Sequence, residues 1–160
     1  MLASLTIKNV VLIDHLTIDF HEGLCALTGE TGAGKSILLD SLGLALGARS
    51  DAGLVRHGTD QASVSAEFIV PENDAVVNFL KTPELEGGPE LILRPSVTKE
   101  GRSRAFINDQ AVSVNLLKQV GEMLVEIHGQ FDTQSLLHSR VHRGLLDDYG
   151  TSSKTLHALL

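Results

Sequence analysis

Several things are missing from this sequence, and each absence narrows its chemistry. A single cysteine, Cys25, excludes an intramolecular disulfide and suits a reducing cytosol. Within the apolar run GLCALTG it reads as a small buried core residue. No stretch approaches the ~18 consecutive apolar residues of a membrane span. The opening MLASLTIKN also lacks the basic-then-apolar layout of a secretory signal, so the expectation is a cytoplasmic chain with no membrane partner. Basic charge is not in excess. The 13 Lys and Arg against 20 Asp and Glu give a net charge of -7, which disfavours a uniformly basic nucleic-acid binder and confines any such contact to a local patch. Internal repeats and low-complexity tracts are absent. The 160 residues, 42% of them apolar, suffice for one ordinary domain with a real core.

Hydrophobic periodicity supplies the elements. SLTIKN sets Leu5 and Ile7 on one face, and HLTIDF does the same for Leu16, Ile18 and Phe20, so two strands come first. GLCALTG reads as a continuous buried strand, and KSILLDSLGLALG, apolar nearly all round, as a helix that Gly47 stops. Val64, Ala66, Phe68 and Val70 alternate with polar residues as a half-buried strand. ELILRPSVT, RSRAFI and QAVS, separated by KEG and IND, suggest an antiparallel meander. SVNLLKQVGEM opens with a serine cap and carries Val114, Leu117, Val120 and Met123 at helical spacing. MLVEIHGQ follows as a short buried strand, and TQSLLHSRVHRGLLDDYG as a helix.

Between the third predicted strand and its helix lies LTGETGAGKS. Gly29, Gly34, Lys35 and Ser36 satisfy G-x-x-x-x-G-K-[ST], with Glu30, Thr31, Gly32 and Ala33 between them. Glycines let successive backbone N-H groups turn toward phosphate oxygens, and the helix N-terminus adds the positive end of its dipole. Lys35 would contact the β- and γ-phosphates and Ser36 would hold Mg2+. No NKxD-like guanine reader occurs, which favours ATP.

A small nucleotide kinase carries the same loop, but normally after its first strand. Two strands before the loop and a meander after it resemble the ATP-binding-cassette heads, an α/β class in which an antiparallel β-lobe packs beside an α/β core. Such heads place a glutamine after a downstream strand, where it ligates Mg2+ and orients the attacking water. Gln130 in LVEIHGQFDTQ fits that place, and Gln134 lies farther on. The stretches LTGETGAGKSILLDSLGLALGAR, LTIKNVVLIDHLTIDF, RSRAFINDQ and VEIHGQ together resemble the RecN family of bacterial double-strand-break repair proteins, SMC-like ATPases. The resemblance runs from about residue 5 to about residue 150, and the Glu30-Thr31 pair is its distinguishing detail. Asn108-Asp109 departs from the expected Asn-Gly turn, and Asp tolerates positive φ less well than Gly.

The resemblance also marks what is missing. A cassette ATPase needs an apolar strand ending in Asp-Glu, an LSGG-type signature and a histidine switch. LLDD at 145–148 has too few apolar residues before its acids, and Gly87-Gly88 lacks both the serine and a following helix. In SMC-like proteins these parts return after a long coiled coil. The expectation is therefore an N-terminal half-head over residues 1–150, with 151–160 beginning the coiled coil or forming a loose end. By itself it would be inactive in ATP hydrolysis. The resemblance implies a C-terminal half-head as partner, a head homodimer holding Mg-ATP, DNA, the RecA recombinase and association with the nucleoid. A nucleotide kinase and a nucleotide-dependent assembly module are the competing readings.

The remaining charged features are weaker. A two-residue turn within KEGR would set Lys99 opposite Arg102 with Arg104 on the same side, a basic stripe open to DNA phosphate or nucleotide. Arg56, in LVRHG, resembles the position where SMC-like heads place a DNA-facing arginine. His138 and His142 share a helix face by spacing, but no third metal ligand accompanies them.

Overall fold

The computed structural model describes residues 1–28, 33–72, 74–80 and 89–125, all within one compact unit, Met1–Val125. Strands β1 (Leu2–Val10) and β2 (Ile13–Asp19) form the first hairpin, and helix α1 (Ala33–Ala45) follows. A short 3-10 turn, Ala52–Leu54, leads into β3 (Gln61–Ile69) and α2 (Ala75–Leu80). Next come β4 (Glu90–Thr98), β5 (Ser103–Ile107), β6 (Gln110–Val112) and α3 (Val114–Leu124). The six strands make one sheet in the order β2-β1-β3-β4-β5-β6, antiparallel at every pairing. This is the antiparallel lobe expected of an α/β cassette-type head, and the meander at its end runs as the alternation predicted.

The period-2 pattern sorts the two faces. Leu5, Ile7, Val64, Ala66, Phe68, Leu93, Val97 and Ile107 point inward and are buried. Ile37, Leu44 and Ala45 of α1, Val76, Val77 and Leu80 of α2, and Leu117 and Val120 of α3 complete that core. Ser113 caps α3, its hydroxyl accepting from the Leu116 N-H at 3.1 Å. The apolar stripe of α3 is narrower than its spacing suggested: Val114 and Met123 are exposed, and Gly121 is buried with Leu117 and Val120.

Gly47 ends α1 as expected. Its φ of 83° places it in the left-handed region, and the bonds Gly47 N to Leu44 O (3.0 Å) and Ala48 N to Gly43 O (2.9 Å) form a Schellman cap. Gly47 and Gly121 also let α1 and α3 meet backbone to backbone. A Cβ on Gly47 would stand 2.7 Å from Lys118 Cα, and one on Gly121 2.4 Å from Leu46 O.

Two expectations are corrected, and a third lies largely outside the described residues. GLCALTG does not form a buried strand in the described residues: 21–28 carry no regular structure, Leu24 is fully exposed, and Cys25 is exposed rather than core. An all-apolar strand needs hydrogen-bonding neighbours and cover on both faces, and no described strand runs beside it. The β4–β5 turn has three residues, not two. Thr98 pairs with Arg102 through a 2.9 Å backbone bond, and Gly101, at φ 80°, supplies the left-handed residue such a loop requires. Lys99 therefore does not face Arg102. The predicted strand leading to Gln130 falls across the helix end at Leu124 and then outside the described residues, as does the helix predicted after it.

Candidate nucleotide-binding site

Helix α1 opens at Ala33, so Gly34, Lys35 and Ser36 occupy its first turn, whose N-H groups have no carbonyl four residues back within the helix. That turn carries no acidic side chain, which leaves the positive dipole end uncompensated by the helix's own residues. Gly34 and Ser36 are exposed, and Lys35 is half-buried. Among the described residues, and apart from its chain neighbours and its own helix, no heavy atom lies within 4 Å of where a Cβ on Gly34 would stand. An open, N-H-rich helix start with a lysine and an exposed hydroxyl suits a phosphate chain with its cation: the lysine neutralises charge, and the hydroxyl is a hard oxygen donor of the kind Mg2+ takes. Gly29, Glu30, Thr31, Gly32 and Gln130 lie outside the described residues, as do Gln134, His138, His142, Gly87-Gly88 and residues 145–148. Among the described residues no group of three His, Cys, Asp or Glu side chains could hold a metal ion.

The four basic residues singled out from the sequence occupy different settings. Arg56 is half-buried at the end of the sheet. Its guanidinium donates to Leu12 O at 3.2 Å and its backbone N-H to Asn9 O at 2.9 Å, tying it to the β1–β2 turn. Lys99 pairs with Asp60 at 2.5 Å and also donates its backbone N-H to Asp60 O. The ammonium's hydrogen bond and charge hold the Asp60 carboxyl below the usual carboxylate range, and Asp60 in turn raises Lys99. Arg104 is exposed on the outer face of the sheet, away from the helices, and Arg102 is exposed just before β5, where the β4–β5 turn closes.

On that face the strand register aligns residues that no linear spacing connects. His15 pairs with Lys8, Lys8 with Ser63, Ser63 with Ser96, and Ser96 with Arg104, a straight row over five strands. Alternation with Leu5 and Ile7 could have sent Lys8 outward; only the register sets it in line with Arg104.

The model of the AAA domain family matches residues 4–139. The DNA repair protein RecN of Vibrio cholerae serotype O1 is 42% identical over 158 residues, which is 99% of this chain and 28% of that protein. RecN of Rickettsia bellii is 44% identical over 151 residues, 94% of this chain and 27% of that one. The chain thus spans about a quarter of the length of these relatives. A solved chain from work on ATP-driven dimerization and DNA-stimulated activation of SMC ATPases superposes with a TM-score of 0.65 at 21% identity, covering 92% of this chain and 97% of that one. The SMC head domain from Thermotoga maritima gives a TM-score of 0.57 at 19% identity, over 74% of this chain and 41% of that one. At such identities these structures speak to the fold, which is that of an SMC-type head. The opening of α1 on Gly34-Lys35-Ser36, the antiparallel lobe beside it and the family match over most of the chain agree: this chain belongs to the AAA domain family, and the curated proteins it resembles over nearly its whole length are DNA repair proteins RecN.

Proposed function

We propose that the chain is the ATP-binding half-head of a RecN-like DNA repair ATPase. The observation that carries this reading is a G-x-x-x-x-G-K-S loop whose last three residues lie in the first turn of α1, with nothing among the described residues outside that helix crowding Gly34, in a chain 99% of which is similar to about a quarter of RecN. Residues 29–36 hold the phosphates of ATP, Lys35 neutralises the β- and γ-phosphates, and Ser36 with Gln130 holds Mg2+. Gln130 also orients the attacking water. The acid that promotes attack and the signature that closes over the γ-phosphate come from a C-terminal half-head, so the chain binds ATP without turning it over.

Leu24, Leu27 and Leu39 are exposed at 102%, 48% and 55%. Exposed leucines on both sides of the loop in sequence support a further part of the head covering them. In the intact protein, nucleotide sandwiched between two heads couples closing and opening to holding DNA during recombinational repair, alongside the RecA recombinase, in the cytoplasm at the nucleoid. DNA meets basic side chains of this lobe, for which Arg56, Lys99, Arg102 and Arg104 are the candidates.

Calorimetric titration with Mg-ATP tests the site: the chain binds, and Lys35→Ala lowers affinity at least tenfold. Adding a separately expressed C-terminal half restores ATP hydrolysis. Steady hydrolysis by the chain alone, abolished by Lys35→Ala, contradicts the half-head reading. Phosphoryl transfer to a second nucleotide supports a kinase instead.

A further inference from the structure

The two edges of the sheet are unlike. At one end β6 is three residues long, a short edge that offers little to another strand. At the other, β2 keeps an unbroken register against β1 from Asp19 to His15, and among the described residues no strand pairs with its far side. Ile13–Asp19 holds neither proline nor lysine, the residues that commonly blunt such an edge.

The hydrogen-bond phase of the first hairpin fixes which backbone groups that edge offers. Phe20 donates its N-H to Ala3 O at 2.8 Å, and antiparallel bonding recurs at every second residue, so Ile18 with Leu5 and Leu16 with Ile7 are the bonded pairs. Thr17 and Thr6 fall at a non-bonded pair, where the strands lie closest, and their hydroxyls accordingly meet at 3.2 Å. The N-H and C=O groups of His15, Thr17 and Asp19 therefore point away from β1, into the free edge. All three residues are exposed.

That edge is complementary to itself. Set antiparallel against a second copy about a two-fold axis through Thr17, it brings Thr17 opposite Thr17 and His15 opposite Asp19 twice. Each of these pairs exchanges two backbone bonds, and at both ends an imidazole faces a carboxylate. On the other face of the strand Leu16 meets Ile18, both of them half-buried in the single chain, and cross-strand apolar contact adds to the backbone bonds. Moving the register by two residues either way loses a bonded pair and parts His15 from Asp19. A patch that contacts its own copy about a two-fold axis closes at a dimer.

We propose that the free edge of β2 pairs with the β2 edge of a second copy of this chain, joining two six-stranded sheets into one. This goes beyond the half-head reading, because the contact lies in the strand edge and needs no nucleotide.

Sedimentation equilibrium of the 160-residue chain over the micromolar range tests this, without nucleotide and with reductant to keep the exposed Cys25 from cross-linking. Wild type is expected to pass from monomer to dimer. Thr17→Pro deletes one edge N-H in each copy, at a place where edge strands accept proline. It is expected to raise the dissociation constant at least about tenfold. His15→Glu sets two carboxylates face to face, and Asp19→Lys sets two bases face to face; each is expected to weaken the dimer by about tenfold. The double variant again opposes a carboxylate with a base, and its affinity should return to within about threefold of wild type. A chain that stays monomeric overturns the proposal. So does a dimer indifferent to Thr17→Pro, or a double variant as weak as its two parents, since either means another surface or register. A dimer that forms only with Mg-ATP overturns it too and leaves the half-head reading standing. Dimers of wild type that respond to these substitutions but bind no Mg-ATP would support this contact while refuting that reading.

Discussion

Gly121 of α3 lies against the carbonyl of Leu46, at the end of α1, so closely that a Cβ built on it would stand 2.4 Å from that oxygen. The obstacle is backbone, which cannot rotate aside. Gly121→Ala must push the helices apart, at a cost of about 1–3 kcal/mol. Gly43, inside α1, is the contrast: its added Cβ would meet only Ala48 Cβ, at 3.8 Å, an ordinary contact. Gly43→Ala should therefore stabilise by about 0.5–1 kcal/mol, because alanine gives up less chain entropy in a helix. Urea unfolding of the two variants checks the opposite signs, and equal effects would mean that the close approach of α1 and α3 is wrong.

Ser113→Ala removes the hydroxyl that accepts from Leu116 N-H at the start of α3. Loss of such a cap costs about 1 kcal/mol. A thermal midpoint lower by about 3–5 °C is expected, with Ser113→Asp close to wild type. An unchanged midpoint for the alanine variant would show that water satisfies the helix start equally well.

The β5–β6 turn uses Asn108 and Asp109 at φ 46° and 66°, both in the left-handed region. Asn108 is held there by β4, donating its N-H to Ile92 O at 3.0 Å and accepting from Ile92 N at 2.8 Å. Asp109 bears the conformational cost and recovers part of it in an exposed 2.5 Å pair with Arg94. Asp109→Gly removes about 1 kcal/mol of backbone strain and forfeits an ion pair worth less than that. The variant should be as stable as wild type or better by about 0.5 kcal/mol, whereas Asp109→Val should be clearly worse. A loss of more than about 1 kcal/mol in Asp109→Gly would mean that the ion pair with Arg94 outweighs the strain of the turn.

Asp60 and Lys99 shift each other in opposite directions, chiefly through their hydrogen bond and then through charge. With Asp60 depressed, its favourable contribution is present above the ordinary value of 3.8 and is lost as pH falls through the lowered one. With Lys99 raised, its contribution is present below 10.5 and is lost as pH rises through the higher value. Carboxyl NMR should find Asp60 titrating below 3.8 in wild type and near it in Lys99→Gln. High salt should narrow that difference, because both groups are exposed and screened. Identical midpoints in the two proteins would mean that the pair is not formed in solution.

The sequence by itself determined the local facts. Alternation placed the strands at β1, β3 and β4, and the serine and glycine signals bounded α3 and α1, because strand parity and capping each depend on a few neighbouring residues. Tertiary structure decided what depends on partners. An apolar run such as GLCALTG has strand character only where another strand pairs with it, and Leu24 and Cys25 are exposed where no described strand does. The KEGR turn took three residues because the register sets Val97 opposite Ser103 and Gly101 takes the left-handed φ that closes such a loop. The row from His15 through Lys8, Ser63 and Ser96 to Arg104 exists only through the register of five strands, set by the burial of their other faces.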